Sequence, residues 1–164
     1  MSDLESTNPL VVQLLSLLRG GQAHVDFESA IEDFPVQHRA SVPAQLPYSA
    51  WQVLEHLRIT QQDILNFSAP STGGYHSLQW PADYWPKSAA PPSPEAWDRT
   101  INSLRSDREK FEALLTRPNA DLFKPFLWGD GQTLLREALL IADHNSYHLG
   151  ELVVLRRLLG IWPR

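Results

Sequence analysis

A chain of 164 residues, 43% apolar and 20% charged, is long enough to bury a hydrophobic core without cross-links. It has no cysteine, which excludes disulfides, thiolate nucleophiles and Cys-based zinc sites. Fourteen basic against nineteen acidic residues leave a net charge of -5 without a basic run, so neither nucleic acid nor an anionic membrane surface is an expected partner. The acidic opening MSDLESTNPL lacks the charge pattern of a signal peptide, and no apolar run is long enough to span a bilayer. A single cytoplasmic domain over residues 1–164 is expected.

Asn8 before Pro9 reads as a helix cap with proline at the first helical position, and PLVVQLLSLLR follows as a short helix stopped by Gly20 and Gly21. AHVDFESAIEDFP predicts a second, shorter helix ending before Pro35, and a proline-rich connector, VPAQLPYS, leads on. Ser49 caps the next segment, AWQVLEHLRITQQDILNFS. Its Trp51, Val53, Leu54, Leu57, Ile64, Leu65 and Phe67 recur at helical spacing. Residues 69–94 break every periodicity and concentrate tryptophan and proline, which predicts a long loop.

Ser93-Pro94-Glu95 then reads as the capped start of a helix, SPEAWDRTINSLRSDREKFEALLTR. Its Trp97, Ile101, Leu104, Phe111, Leu114 and Leu115 form one apolar stripe opposite a charged face. After a loop containing LWGDGQT, Thr133 caps a last helix from about Leu134 to Leu159, closed by Gly160. With no strand alternation and no repeat, the fold class is all-α. The expected architecture is a four-helix bundle with one short extra helix and a long loop between helices two and three of the bundle.

His144 and His148 stand four apart in that last helix, one above the other on a single face, with Glu151 one turn on. Two imidazoles so placed suit zinc, nickel, iron or copper, but a tight site needs more ligands. His56 is the candidate third, lying close to the buried stripe of its helix. Three histidines from two helices would leave coordination positions open, as in a catalytic site. The competing reading is that all three are core histidines held by hydrogen bonds. His24, His38 and His76 lie in segments that suit surface residues.

A histidine in the second bundle helix with an HxxxH pair in the last resembles the DinB-like metal-binding family. That superfamily includes the YfiT-like thiol transferases and the metal-dependent mycothiol maleylpyruvate isomerase domain. The likeness runs from LLSLLRGG through WQVLEHLRITQQDIL to GDGQTLLREALLIADHNSYHLGELVVLRRLLG, and DHNSYHLGEL is close to the pattern D-H-x-x-Y-H-x-G-x-L. The resemblance implies that His56, His144 and His148 bind one divalent metal ion, zinc or nickel first, with iron or manganese as alternatives. It also implies chemistry with a low-molecular-weight thiol.

Asp143 and Asn145 are candidates to orient the ligand histidines through their outer nitrogens, and Glu151 is the better-placed carboxylate. Tyr147 reads as packing or as a phenol at the site rim. Gly150 reads as either a close-approach point or a weak spot in the helix. Trp80, Tyr84, Trp85 and Trp128 could wall a pocket for a small-molecule substrate, although packing of the loop onto the bundle is the simpler explanation. Glu55 should point away from its neighbour His56, and Arg156 and Arg157 have a sufficient role as cations at a helix end.

The expected activity is a metal-dependent transferase or hydrolase acting through a thiol or an activated water. The alternative is a non-catalytic, metal-stabilised stress-associated or binding bundle. A homodimer is expected through the helices or the apolar end LLGIWPR.

Overall fold

The computed structural model describes residues 8–163, so the acidic opening MSDLEST and the final Arg164 lie outside it. The helices are α1 (Pro9–Arg19), α2 (Phe27–Ile31), α3 (Ala50–Ser68), α4 (Ala96–Thr116) and α5 (Leu134–Leu158), and there is no strand among the described residues. Local chemistry sets most of their ends. The Asn8 side chain accepts from the Leu10 N–H, Asp26 from Ser29, and Thr133 from Arg136. Ser49 and Gln52 cap α3 reciprocally. Gly20 closes α1 at φ 74°, a conformation that favours glycine.

One expectation is corrected here, and the second helix, short and ended before Pro35 as expected, is located more closely. Ser93 does not cap α4: residues 93–95 form a preceding turn in which the Ala96 N–H donates to the Ser93 carbonyl, and the Ser93 hydroxyl accepts from Arg99 instead. The second helix is only five residues long, and the connector holds a short 3-10 turn, Val36–His38, that the sequence reading did not separate.

The core is two clusters stacked along the bundle. One joins Trp51, Val53, Leu54 and Leu57 of α3 to Trp97, Ile101 and Leu104 of α4, and to Leu149, Leu152, Val153 and Leu155 of α5, under α2. The other joins Ile64 and Leu65 to Phe111 and Leu115, to Leu134, Ala138, Ile141 and Ala142, and to Val11, Leu14 and Leu18 of α1. The first halves of α3 and α4 thus share one cluster with the second half of α5, so α3 and α4 run parallel and α5 runs against both. Between the clusters lies a polar waist, where the buried Gln61 donates to the Leu104 carbonyl and accepts from Asn145 Nδ2. Satisfied in this way, the buried amide avoids the desolvation penalty of an orphan.

Parallel α3 and α4 explain the long loop. The chain leaves α3 at one end and must regain the other, a distance of about 28 Å for nineteen residues of helix. It returns along α3 itself. Tyr75 and Tyr84 donate to Asp63, the Tyr84 carbonyl meets His56, the Pro86 carbonyl accepts from Gln52, and the Ala89 carbonyl accepts from Ser49. Ser49, Gln52, His56 and Asp63 therefore form a polar stripe on the face of α3 that carries the loop, while Val53, Leu54, Leu57, Ile64 and Leu65 bury the opposite side.

Candidate metal centre

His56 comes from the loop-facing stripe of α3, and His144 and His148 from successive turns of α5 where the two helices pack. His56 and His148 are buried and His144 is half-buried. The structure brings the three rings to one point. His56 Nε2 lies 3.1 Å from His148 Nε2 and 3.1 Å from His144 Nε2, and one nitrogen of each ring falls within 4.8 Å of the others.

The outer nitrogens explain why these contacts matter. His56 Nδ1 faces the Tyr84 carbonyl at 2.8 Å; a carbonyl only accepts, so Nδ1 carries the proton. His148 Nδ1 faces Glu151 Oε2 at 2.6 Å and donates to that carboxylate. With both outer nitrogens protonated, two neutral rings would present bare Nε2 lone pairs to each other across 3.1 Å, whereas a proton on His148 Nε2 would let that ring donate to His56. A proton on His144 Nε2 can relieve its own contact with His56 but leaves the His56–His148 pair opposed. Burial lowers the His56 pKa, and burial with the neighbouring histidines pushes His144 down to about 4, so both rings are uncharged near neutrality.

Three ring nitrogens held this close could share a cation. The donor set fits one: two nitrogens on an ion at bond lengths of about 2.0–2.1 Å in tetrahedral geometry stand roughly 3.3 Å apart, close to the spacing observed.

The surroundings hold the rings in place. Glu151 accepts a second hydrogen bond, from the Tyr48 hydroxyl, and burial together with this carboxylate raises the Tyr48 pKa, so the phenol stays protonated. Trp85 stacks on His56 with ring centroids 3.9 Å apart and planes 7° apart, and Tyr48 stacks on Trp85 at 5.4 Å. A cleft of about 380 Å³ opens beside the histidines, walled by Tyr48, Thr60, Trp80, Tyr84, Trp85 and Tyr147. Its size is in the range of small-molecule sites.

The other candidate residues divide. Glu151, Trp85 and Tyr147 stand at the site; Tyr147 is 66% exposed, with its ring edge-on to His148. Asn145 donates to Gln61, and its side chain also lies close enough to His144 to oppose the lowering of that ring's pKa. Asp143 is exposed and makes no hydrogen bond or ion pair among the described residues. Trp128 is corrected: its indole N–H donates to the Phe67 carbonyl and its ring stacks on Phe126, walling a separate cleft with Asp63 and Tyr75.

Arg156 is also corrected, since it is not a solvated helix-end cation. Only 2% exposed, it donates to the Ala30 and Ile161 carbonyls and lies against Phe34 and Trp162. Gly150 faces open space. Glu55 does point away from the site, pairing with Arg58 and Thr100.

Sequence reasoning did not single out Tyr48 or Thr60. Thr60 lies one turn beyond His56, so spacing alone could have found it. Tyr48 sits in the irregular segment before the α3 cap, where no periodicity fixes a direction.

A family model described as the DinB superfamily matches residues 21–152, a span that contains all three histidines and Glu151. No match to the chain was found among curated proteins or among solved structures.

Proposed function

The chain belongs to the DinB superfamily, and from that premise we propose that it binds one divalent metal ion through Nε2 of His56, His144 and His148 and uses it for small-molecule chemistry. Three ring nitrogens converging within 4.8 Å, with the Nδ1 atoms of His56 and His148 engaged outward, carry this reading. Zinc and nickel suit an all-imidazole set best, with iron or manganese as alternatives. Such an ion, held by three neutral ligands, supplies Lewis acidity that lowers the pKa of a bound thiol or water.

The chain's own residues favour transfer of a low-molecular-weight thiol over hydrolysis. Among the described residues that line the cleft the one carboxylate is Glu151, and each of its oxygens is already engaged in holding His148 or Tyr48. The Tyr84 carbonyl and Glu151 fix the ring tautomers before any ligand arrives, and Trp85 holds the His56 plane. Trp80, Trp85 and Tyr147 border the side where a substrate would lie, so that a bound substrate would displace water from them.

The second reading is a metal that only staples α3 to α5, favoured by the fact that the histidines bridge those two helices. Thiol-transfer assays on metal-stripped and zinc-, nickel- and manganese-reloaded protein, with a panel of thiols and electrophiles, separate the two. Turnover that appears on reloading and is lost in His148→Ala supports transfer. A rise in melting temperature on reloading, without turnover and without a change in metal spectroscopy when thiol is added, supports the staple.

A further inference from the structure

The walls of the cleft carry more information than the metal ligands do. Five of its ten lining residues are aromatic (Tyr48, Trp80, Tyr84, Trp85 and Tyr147), and neither lysine nor arginine lines it. Arg156, in the last turn of α5, is buried against α2 and does not reach the cleft. Among the described residues that line it, Glu151 is the one acidic side chain and the histidines are the only basic ones, and the chain as a whole is acidic.

Two of the aromatic rings are not used up by packing. Trp80 is 70% exposed although its ring lies within 6.4 Å of His56 and 5.4 Å of Tyr84. Tyr147 is 66% exposed, and among the described residues no hydrogen bond engages its hydroxyl. Large aromatic surfaces left in water on two borders of one cleft are what a flat ligand would cover.

We propose that the ligand body held in this cleft is an uncharged or cationic aromatic ring, lying against Trp80 and Tyr147, and that the cleft rejects ligands whose body carries a carboxylate. This rests on the proposed use of the site but not on the metal itself. The indole and phenol faces attract flat apolar groups and cations through their electron-rich π surfaces. A carboxylate placed there would lose hydration with no cationic side chain to replace it, beside the Glu151 charge. The substrate class is therefore aromatic, with any anionic group confined to the end facing the histidines.

Isothermal calorimetry tests this with 2-naphthylmethanol, (2-naphthylmethyl)trimethylammonium and 2-naphthylacetate, three matched rings without sulfur. Each is titrated into metal-stripped and zinc-supplemented full-length protein. On the stripped protein the alcohol and the ammonium should bind at least about tenfold more tightly than the carboxylate, the size of one desolvated cation–π or stacking contact.

Trp80→Ala and Tyr147→Ala, both at exposed positions that leave the core intact, should each weaken the two favoured probes several-fold without altering zinc uptake. Equal or tighter binding of the carboxylate overturns the proposal, and so do unchanged affinities in both variants. If stripping unfolds the protein, as seen by circular dichroism, the alcohol, the ammonium and the two variants are compared on zinc-supplemented protein by the same criteria. Failed zinc uptake with intact ring binding would sink the metal reading alone; zinc uptake without ring binding would sink this one alone.

Discussion

Replacing Glu151 by glutamine removes one charge from the site while keeping its shape. In the native chain the carboxylate accepts from His148 Nδ1 at 2.6 Å and from Tyr48, and its side chain is only 17% exposed, so solvent screens the pair weakly. A hydrogen bond to a charged group contributes about 1.5–3 kcal/mol, against about 0.5–1.5 kcal/mol for a neutral one. Glutamine can still accept from Nδ1 through Oε1, so the loss is the difference, about 1–1.5 kcal/mol, and metal affinity should fall roughly tenfold. Glu151→Ala, which also frees the ring to rotate, should approach a hundredfold. Tyr48→Phe, which removes a neutral donor, should cost only a few-fold. Competition against a chromophoric zinc chelator measures all three, with circular dichroism confirming the fold. If Glu151→Gln and Glu151→Ala bind zinc as tightly as wild type, Glu151 does not orient His148 and the reasoning fails.

Other expectations follow from the same contacts. Burial lowers the pKa of His56 and, with the neighbouring rings, takes His144 to about 4, against an ordinary 6.5 in the unfolded chain. The unfolded chain therefore takes up protons first as pH falls, so this contribution to stability is complete above about 6.5 and lost toward about 4. The melting temperature of metal-stripped protein should drop across that window, less steeply in His144→Gln, and equal slopes would contradict the assignment.

Arg156→Ala removes the donors to the Ala30 and Ile161 carbonyls and empties the space between Phe34 and Trp162, and should cost about 2–4 kcal/mol in urea unfolding without changing metal uptake. Gln61→Leu leaves the Asn145 amide without its acceptor and removes the second hydrogen bond to the Leu104 carbonyl, which α4 already engages, and should cost about 1–3 kcal/mol in the same assay; a neutral result would mean the waist is not structural.

Most of the helical frame was legible because its signals are local. Asn8, Ser49 and Thr133 cap where the sequence places them, and the apolar spacing of α3 and α5 marks the faces that bury. The convergence of His56 with His144 and His148 was also accessible, since it needs only two helix faces and their contact. Ser93 misled because serine before proline and glutamate suits a cap and a turn alike, and the competing Arg99 hydrogen bond is a matter of three dimensions.

Trp128 and Arg156 failed for the same reason. An indole or a guanidinium has reach, and whether Trp128 meets Phe67 or the histidines depends on how residues 117–133 cross the bundle, which no periodicity encodes. The parallel run of α3 and α4 was implicit in a loop of that length, but only the contacts of Tyr75, Tyr84, Pro86 and Ala89 reveal that the loop supplies the carbonyl fixing His56.

The most direct test is metal content by mass spectrometry on untagged protein, for wild type and for His56→Ala, His144→Ala and His148→Ala. The account predicts close to one zinc or nickel ion per chain in wild type, and a loss in each variant while circular dichroism stays helical. A wild type that carries no metal and takes up none of zinc, nickel or manganese on titration would contradict it.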